Sequence, residues 1–226
     1  TYQISRAYHI AELCRKRGMT VIMGGIHASV MPDEASRYVD AVFIGEAESL
    51  WPQVIKDFEN GHLKKVYNGG LPALSEMKHV FPNRELMKKK YNYKFSSIVT
   101  TKGCPNYCDF CSVPTFQGKK YRERPYEDVL DEMEATDYKG LMFAEDNFYG
   151  HSKNSANRAK QLFRGMIDRG IQKDWLGFTA LNISQDAEAL DLMAKSGNFG
   201  FLCGIESTNE AVLEKMNKKV NLRLGT

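Results

Sequence analysis

The sequence predicts an α/β protein in which helices cover parallel strands and which ends in the first half of a (β/α) barrel. Two observations support this fold class. Short apolar runs alternate with segments whose apolar residues repeat at helical spacing, and the loops after the strands are short. In the second half of the chain, four strand–helix units follow one another. This alternation is typical of a parallel sheet with helices on its faces.

Residues 1–61 are the predicted first domain, a helix–strand–helix–strand–helix segment. Gly18 and Gly61 stop its first and last helices. Two strands are too few for a stable sheet, so we expect further strands before Thr1 in a longer parent protein. The predicted elements are helices near 4–14, 32–38 and 50–58 and strands at 20–23 and 41–44.

Residues 62–94 interrupt this pattern with a Gly69–Gly70 pair and with Pro82. Glycine and proline at irregular spacing break both helical and strand periodicity. We therefore predict an interdomain connection in this segment.

Residues 95–226 are the predicted second domain, a barrel truncated after four strand–helix units. The last helix is predicted to begin with a capping box of Ser207 and Glu210. The predicted strands lie at 97–101, 141–144, 176–180 and 200–205.

The composition is that of a globular protein, with 42% hydrophobic and 26% charged residues. No apolar run approaches the roughly 18–20 residues of a spanning helix, so we expect no membrane span. A net charge of +3 gives no support for nucleic-acid binding. Three of the five cysteines are clustered, which favours a metal site in a reducing compartment, and we expect a cytoplasmic protein.

The clustered cysteines are Cys104, Cys108 and Cys111, a C-x3-C-x2-C spacing directly after a predicted strand. Sulfur ligands suit iron–sulfur clusters and zinc. A structural zinc needs four ligands, whereas a [4Fe–4S] cluster held by three thiolates leaves one iron open for chemistry. The alternative is a zinc site or a cysteine cluster without metal, with a fourth ligand from His151, Cys203 or a residue outside this chain.

The spacing, with the aromatic Phe110 before the last cysteine, resembles the signature of the radical S-adenosylmethionine (SAM) superfamily. Gly103, Pro105, Gly118 and the Arg-Glu-Arg run at 122–124 resemble its cobalamin-dependent branch. The resemblance implies the C-terminal part of a Rossmann-like cobalamin-binding domain, followed by the first half of a radical SAM partial TIM barrel. It also implies that the three cysteines bind the cluster and that Phe110 lies at the cofactor site.

The resemblance further implies a mechanism, in which the open iron binds the amino and carboxylate groups of SAM. The reduced cluster then cleaves SAM to a 5′-deoxyadenosyl radical, which abstracts a hydrogen atom from the substrate. In the cobalamin-dependent branch we expect methyl transfer to follow, and hence a methyltransferase-type enzyme. The implied partners are a small-molecule or natural-product-like substrate and an electron donor such as flavodoxin or ferredoxin. The alternatives are a cobalamin-independent radical SAM enzyme and a non-catalytic Fe–S or zinc-binding module.

Residues after the second barrel strand are the first predicted contacts of SAM. Glu145, Asp146 and Asn147 lie where the superfamily commonly contacts the SAM amino group, and carboxylates there could hydrogen-bond an ammonium. Helix capping by Asp146 or Asn147 is the alternative.

Further candidates follow the third and fourth strands. Glu206 lies in a Gly-Ile-Glu segment that resembles one of the family, with compensation of a helix dipole as its alternative. Asn182 follows the third strand. Arg122 and Arg124 are candidates to steady the SAM carboxylate, with surface ion pairs as the alternative.

In the first domain, Gly24 and Gly25 follow one strand, and Gly45 and Glu46 follow the next. Paired glycines let a backbone approach a ligand closely, although an ordinary tight turn has the same pattern. The resemblance implies that these loops lie beside the corrin and the nucleotide tail of cobalamin. His27 is expected to be a polar surface residue and not an axial cobalt ligand, since the family's Asp-x-His-x-x-Gly run would lie upstream of this chain.

Overall fold

The protein is seen here in a computed structural model, which divides into two compact units, residues 1–78 and 79–226. Within the part of the chain that the structure describes, no helix is both long and apolar enough to cross a bilayer. The described residues are 2–75, 81–86, 91 and 93–222.

The first unit is a parallel sheet of three strands with helices between them. Its elements are α1 (Ile4–Lys16), β1 (Ile22–Met23), α2 (Ile26–Val30), α3 (Pro32–Ala35), β2 (Ala41–Gly45), α4 (Trp51–Glu59) and β3 (Val66–Gly70). The spatial order of the strands is β1-β2-β3.

The central strand β2 is buried on both faces because its successive side chains point to opposite sides of the sheet. Val42 belongs to one apolar cluster with Tyr8 of α1. Phe43 belongs to a second cluster with Val54 of α4. The first unit therefore has helices on both faces of its sheet, as the α/β pattern predicts.

Two elements of the first unit differ from the sequence prediction. The helix α2 was not predicted; it begins directly after Gly25, where we expected a loop. Residues 66–70, predicted within the interdomain connection, instead form β3, which pairs with β2. The sequence of β3 contains two adjacent glycines and little apolar surface, so its strand conformation depends on the neighbouring strand. The domain limits at 61 and 95 stay a prediction.

The second unit is a parallel sheet of four strands in the order β4-β7-β8-β9, with a separate two-stranded ladder of β5 and β6. Its elements are β4 (Phe95–Ile98), β5 (Thr101–Lys102), α5 (Val113–Phe116), β6 (Arg122–Glu123), α6 (Tyr126–Glu134), β7 (Gly140–Phe143), α7 (Lys153–Asp168), β8 (Asp174–Thr179), a 3₁₀ helix (Leu181–Gln185), α8 (Ala187–Lys195), β9 (Asn198–Cys203), α9 (Glu210–Lys215) and α10 (Lys219–Leu222).

Aromatic side chains form the centre of the second unit's core. Trp175 on β8 is fully buried between the rings of Phe143 and Phe163, with ring centroids at 4.5 Å and 5.2 Å. Its indole N–H donates to the carbonyl of Ser196 at 3.1 Å, so the one polar atom of the ring is satisfied. This packing fixes the helix α7 and the strands β7 and β8 against one another, and with them the loops at the carboxyl ends of those strands.

Two details of the second unit correct the sequence prediction. The first strand was predicted at 97–101 but ends at Ile98, and Thr101 belongs to the separate antiparallel ladder. The capping box was also wrong, because Asn209 caps α9. Its side-chain oxygen accepts from the amides of Ala211 and Val212, whereas Ser207 accepts from the amide of Asn209.

Candidate metal and cofactor site

The cysteine loop, residues 103–118, begins directly after β5 and returns to β6. These two strands pair antiparallel and close the neck of the loop. Gly103 has a φ of +85°, and a Cβ there would lie 2.3 Å from the carbonyl oxygen of Lys120. Glycine is required at this position because a side chain would collide with the returning backbone.

The thiols of Cys104, Cys108 and Cys111 line one cavity of about 410 Å³. Burial raises the pKa of Cys104 and of Cys108, and the other two thiols raise the pKa of Cys104 further. Lys218 acts in the opposite direction on the pKa of Cys108. A metal must therefore displace protons from these thiols when it binds.

The arrangement of the thiols fits a cluster better than a single ion. Among the described residues, no three His, Cys, Asp or Glu side chains lie close enough together to hold one metal ion. All ligands of a zinc ion bind the same metal atom. In a [4Fe–4S] cluster each thiolate binds a different iron, so the sulfur atoms of the protein lie farther apart. Three sulfur donors around one cavity therefore suit the cluster.

Both residues named as a fourth ligand, His151 and Cys203, also line the cavity. His151 Nε2 lies 3.7 Å from Cys104 Sγ and 2.9 Å from the side-chain nitrogen of Asn147. Burial lowers the pKa of His151 to about 4, so the imidazole is neutral at pH 7. Because a neutral imidazole binds metals, His151 stays an alternative as a fourth protein ligand beside Cys104.

The three polar residues after β7 lie in different environments. Asp146 and Asn147 line the cavity with the cysteines. Glu145 is not among the described lining residues. It is 3% exposed, and its carboxylate accepts from the hydroxyl of Thr100 at 2.6 Å and from its amide at 3.3 Å. Burial raises the pKa of Glu145 to about 7. The structure therefore separates Glu145 from its two neighbours.

Helix capping does not account for Asp146 or Asn147, because Ser152 caps α7 and accepts from the amide of Ser155. The side chain of Asn147 instead holds the loop after β7. Its oxygen accepts from the amide of Gly150 at 3.2 Å, and its nitrogen faces His151. Asn147 therefore combines a position on the cavity with a structural role in the loop.

Glu206 also lines the cavity, and its carboxylate accepts from Lys218 Nζ at 3.1 Å. Glu206 lies outside α9 and has a φ of +64°, a left-handed conformation that is costly for a residue with a side chain. The helix-dipole alternative is therefore wrong for Glu206, because the first turn of α9 begins at Glu210. Phe110 lines the same cavity, and its ring centroid lies 5.6 Å from Lys218 Nζ.

The remaining candidates of the second unit lie outside the described lining of the cavity. Asn182 is in the 3₁₀ helix and donates to the carbonyl of Gly150 at 3.0 Å. Arg124 is buried and donates to Glu132 at 2.6 Å, and Arg122, also buried, donates to the carbonyl of Gln117 at 3.1 Å. The ion pair of Arg124 with Glu132 therefore lies in the interior and not on the surface.

Sequence reasoning missed Lys218 and gave His151 only as an alternative ligand. His151 was detectable, since it follows a strand by a short loop, where active-site residues of α/β barrels lie. Lys218 follows the end of α9 in a run of basic residues, and nothing in its spacing separates it from a solvated surface lysine. Its role in the site appears only in the folded structure.

In the first unit, the predicted glycines differ in what surrounds them. A Cβ at Gly24 would meet only Phe43, at 3.5 Å and beyond, and a Cβ at Gly25 would meet nothing within 4 Å. A Cβ at Gly45 would lie 2.3 Å from the carbonyl oxygen of Gly70. Gly25 therefore leaves open space and Gly24 has room for a methyl group in ordinary contact with Phe43, whereas Gly45 is required by the backbone of β3.

His27 and Glu46 lie near these glycines in the chain. His27 follows Gly25 by two residues, and its Nε2 is 3.1 Å from the hydroxyl of Tyr8 and 3.3 Å from Glu34. The expectation of a simple surface residue is wrong, since the His27 side chain is only 13% exposed and is held in this cluster. Glu46 follows β2, and its amide donates to the carbonyl of Gly70 at 3.0 Å.

Residues 98–223, more than half of the chain, match the family model described as the radical SAM superfamily. The chain belongs to the radical SAM superfamily. The resemblance inferred from the cysteine spacing is therefore confirmed.

Two curated relatives are methyltransferases. Bacteriochlorophyllide d C-12(1)-methyltransferase of Chlorobaculum tepidum is 32% identical over 98% of this chain and 49% of its own length. Cytidylyl-2-hydroxyethylphosphonate methyltransferase of Streptomyces wedmorensis is 29% identical over 96% of this chain and 50% of its own length. The chain spans about half the length of these relatives.

Two solved structures share the fold of this radical SAM protein. The methyltransferase TsrM from Kitasatospora setae, with tryptophan and a SAM analogue bound, has a TM-score of 0.73 at 19% identity and covers 98% of this chain and 50% of its own. The cobalamin-dependent enzyme OxsB, with aqua-cobalamin and SAM bound, has a TM-score of 0.76 at 17% identity and covers 97% of this chain and 37% of its own. The predicted α/β fold class is confirmed.

Proposed function

We propose that the protein is a cobalamin-dependent radical SAM enzyme of the methyltransferase type. The observation that carries this proposal is the convergence of three cysteines on one cavity whose other lining residues include carboxylates. A structural metal site does not require acidic groups beside an open coordination position. A site that binds SAM does, because carboxylates accept hydrogen bonds from the ammonium group of the ligand.

In this proposal Cys104, Cys108 and Cys111 hold the [4Fe–4S] cluster and leave one iron for SAM. When bound and reduced, the cluster supplies the electron that cleaves SAM to a 5′-deoxyadenosyl radical. The chain itself positions the ligands, because the β5–β6 neck and the glycine at 103 fix the loop. Phe110 contributes an apolar ring to the lining of the cavity.

Asp146 and Glu206 are the residues of this chain proposed to bind the SAM ammonium group. Both line the cavity with the cysteines, and both carry a carboxylate, the acceptor that an ammonium prefers. Asn147 contributes to the same wall. Glu145 and Asn182 are proposed to act indirectly, since their side chains hold Thr100 and the loop at Gly150.

The first unit is proposed to contribute to a cobalamin site. The open space at Gly25 and the missing side chain at Gly24 would allow a flat macrocycle to approach the main chain, and Gly45 and Glu46 lie at the end of the next strand. A fold neighbour supports the assignment, since OxsB holds aqua-cobalamin. Cobalamin would carry the methyl group that a substrate radical receives.

The substrate class is proposed to be a small molecule of the natural-product kind. The relatives act on a bacteriochlorophyllide and on a cytidylyl phosphonate, and both are small molecules. The electron donor is proposed to be a flavodoxin or ferredoxin in the cytoplasm, where five free cysteines stay reduced.

Electron paramagnetic resonance tests the proposal on the complete protein, reconstituted with iron and sulfide without oxygen and then reduced. We expect a [4Fe–4S]⁺ signal that changes when SAM is added, because SAM binds the open iron. A signal that SAM leaves unchanged would contradict the enzyme and favour an electron-transfer module.

A second candidate, a non-catalytic metal module, is favoured by one observation, the position of His151 3.7 Å from Cys104. If His151 completed the coordination, His151→Ala would lower the iron or zinc content of the protein. In a radical SAM enzyme the same variant keeps its iron, because three thiolates are sufficient. Metal analysis of wild-type and variant protein separates the two functions.

A further inference from the structure

The hydroxyl of Tyr121 joins the neck of the cysteine loop to the loop after β7. Tyr121 directly precedes β6 and so lies at the neck. Its hydroxyl donates to the main-chain carbonyl of Asn147, in the loop after β7, at 2.6 Å. Thr101 of β5, on the opposite strand of the neck, donates to the same carbonyl at 3.4 Å. Both sides of the neck therefore hold the loop after β7 through one main-chain oxygen.

The ring of Tyr121 packs against the same loop. The rings of Tyr121 and His151 meet edge to face, with their centroids 6.1 Å apart. A Cβ at Gly150, where φ is +85°, would lie 3.1 Å from Tyr121 Cε1. Burial raises the pKa of Tyr121, so its hydroxyl keeps the proton that it donates. The ring and the hydroxyl together hold the main chain of residues 147–151 beside the neck.

Asp146, whose carboxylate is proposed above to bind the SAM ammonium, lies between two links to the neck. Glu145, the residue before it, accepts from the hydroxyl of Thr100 at 2.6 Å. Asn147, the residue after it, accepts from Tyr121. Asp146 itself lines the cavity together with the three cysteines. The links on both sides therefore set where its carboxylate lies relative to the cysteine loop.

A ligand that contacts both the cluster and Asp146 requires the two loops at a fixed separation, because a misplaced group loses its interaction energy. Tyr121 is not among the described residues that line the cavity, so it acts on the ligand through the loop after β7. We propose that Tyr121 is a positioning residue, which holds Asp146 at the distance from the cysteine loop that SAM binding requires. This inference rests on the proposed function, because it needs SAM in the cavity.

The test uses variants of the complete protein, reconstituted with its cluster. Tyr121→Phe removes the hydroxyl and keeps the ring. Tyr149→Phe is the matched control, because Tyr149 is also a buried tyrosine whose hydroxyl donates to one acceptor, at 2.7 Å. That acceptor is Asp186, the cap of α8, and not a group of the neck. Asp146→Ala, alone and together with Tyr121→Phe, completes a double-mutant cycle.

Titration of SAM against the signal of the reduced cluster gives the dissociation constants, and iron content and urea unfolding are measured on the same proteins. We expect Tyr121→Phe to keep its iron and to bind SAM about fivefold more weakly, the change that corresponds to one hydrogen bond. Tyr149→Phe should unfold at lower urea than the wild type but bind SAM within about twofold of it. In the Asp146→Ala protein, Tyr121→Phe should weaken SAM binding by less than about twofold, because the group that it positions is absent.

Several results would overturn the inference. Unchanged SAM affinity in Tyr121→Phe would do so, and an equal loss in Tyr149→Phe would show a general effect of lower stability. An undiminished loss in the Asp146→Ala protein would show that Tyr121 does not act through Asp146. Loss of iron in Tyr121→Phe would assign the hydroxyl to cluster binding instead. If the wild-type cluster assembles but does not respond to SAM, the proposed function fails together with the role of Tyr121, whereas a failure confined to the variants leaves the proposed function intact.

Discussion

In the second unit, three loops bring side chains together in one cavity, whereas in the first unit the chain directly after β1 consists of two glycines. Cys104, Asp146 and Glu206 come from three different loops and line the same space. In the first unit, Gly25 leaves open space after β1, Gly24 has room for a methyl group, and Gly45 fits closely against Gly70. The two sheets therefore offer two kinds of surface.

The difference suggests two types of ligand contact within one chain. Side-chain donors give a site selectivity for a metal and for charged groups, because each donor has its own chemistry. Glycine gives shape, because it allows a large flat ligand to reach the backbone. It follows that substitutions at the cavity of the second unit should change the content of bound metal or ligand. Substitutions at the glycines of the first unit should change the free energy of unfolding and the access of a large ligand to the backbone.

The largest expected effect concerns the cysteines that line the cavity of the second unit. Cys108→Ala should abolish assembly of the cluster, because two thiolates are too few to hold it, while the fold remains. Iron and sulfide analysis measures the cluster, and circular dichroism checks the fold. Cys14→Ala is the control, since Cys14 lies in α1 of the first unit and should leave the iron content unchanged. Full iron content in Cys108→Ala would remove Cys108 from the ligand set.

The next largest effect concerns the glycines of the first unit. Gly45→Ala should lower the free energy of unfolding by more than about 3 kcal/mol, since the new methyl group meets a main-chain oxygen and φ is left-handed. Gly24→Ala should change it by less than about 1 kcal/mol, because its Cβ has ordinary contacts. Urea unfolding of the two variants measures the difference.

The same two variants also test whether Gly24 contacts a ligand. If Gly24 serves a ligand, Gly24→Ala should weaken the binding of hydroxocobalamin in equilibrium dialysis although its stability is nearly unchanged. Equal stability of Gly45→Ala and Gly24→Ala would contradict the distinction between a glycine that the backbone requires and one with room for a methyl group.

A smaller effect concerns pH. The pKa of Glu145 is raised from 4.5 to about 7, so the native state keeps a proton that the unfolded chain releases as the pH rises. The stabilisation from this group is complete below about pH 4.5 and is lost as the pH approaches 7, at most about 3 kcal/mol in total. Glu145→Gln should remove this dependence and leave the acceptor for Thr100 in place.

Urea unfolding of the cluster-free protein at pH 5 and pH 8 measures the contribution of Glu145 to the free energy of unfolding. Glu214→Gln, an exposed position on α9, is the control and should unfold with the pH dependence of the wild type. An unchanged pH dependence in Glu145→Gln would mean that the carboxyl group is ionised in the native protein.

The smallest effect concerns Glu206. Glu206→Ala should weaken SAM binding by roughly tenfold, about 1.4 kcal/mol, because one acceptor of the ligand's ammonium is lost. Its iron content should remain that of the wild type. Equal SAM affinity would leave Glu206 with only its pairing to Lys218.

Sequence reasoning predicted the strands that carry strong apolar runs, such as β2, β7 and β8, because burial on both faces leaves a clear signal. It missed β3, whose strand conformation comes from pairing and not from its own composition. The cysteine spacing predicted that the three thiols share one site, and they line one cavity, because these residues are close together in sequence. The ion pair of Glu206 and Lys218 depends on a turn after α9, which no periodicity records.

The neck formed by β5 and β6 has a consequence for the order of events in maturation. The ladder joins the two ends of the cysteine loop by backbone hydrogen bonds, so the loss of chain entropy on closing the loop accompanies the pairing of β5 with β6. A cluster held by the three cysteines would cross-link only the stretch within this closed loop. We expect the apoprotein to accept a preformed cluster from a donor by ligand exchange, with little rearrangement beyond the loop.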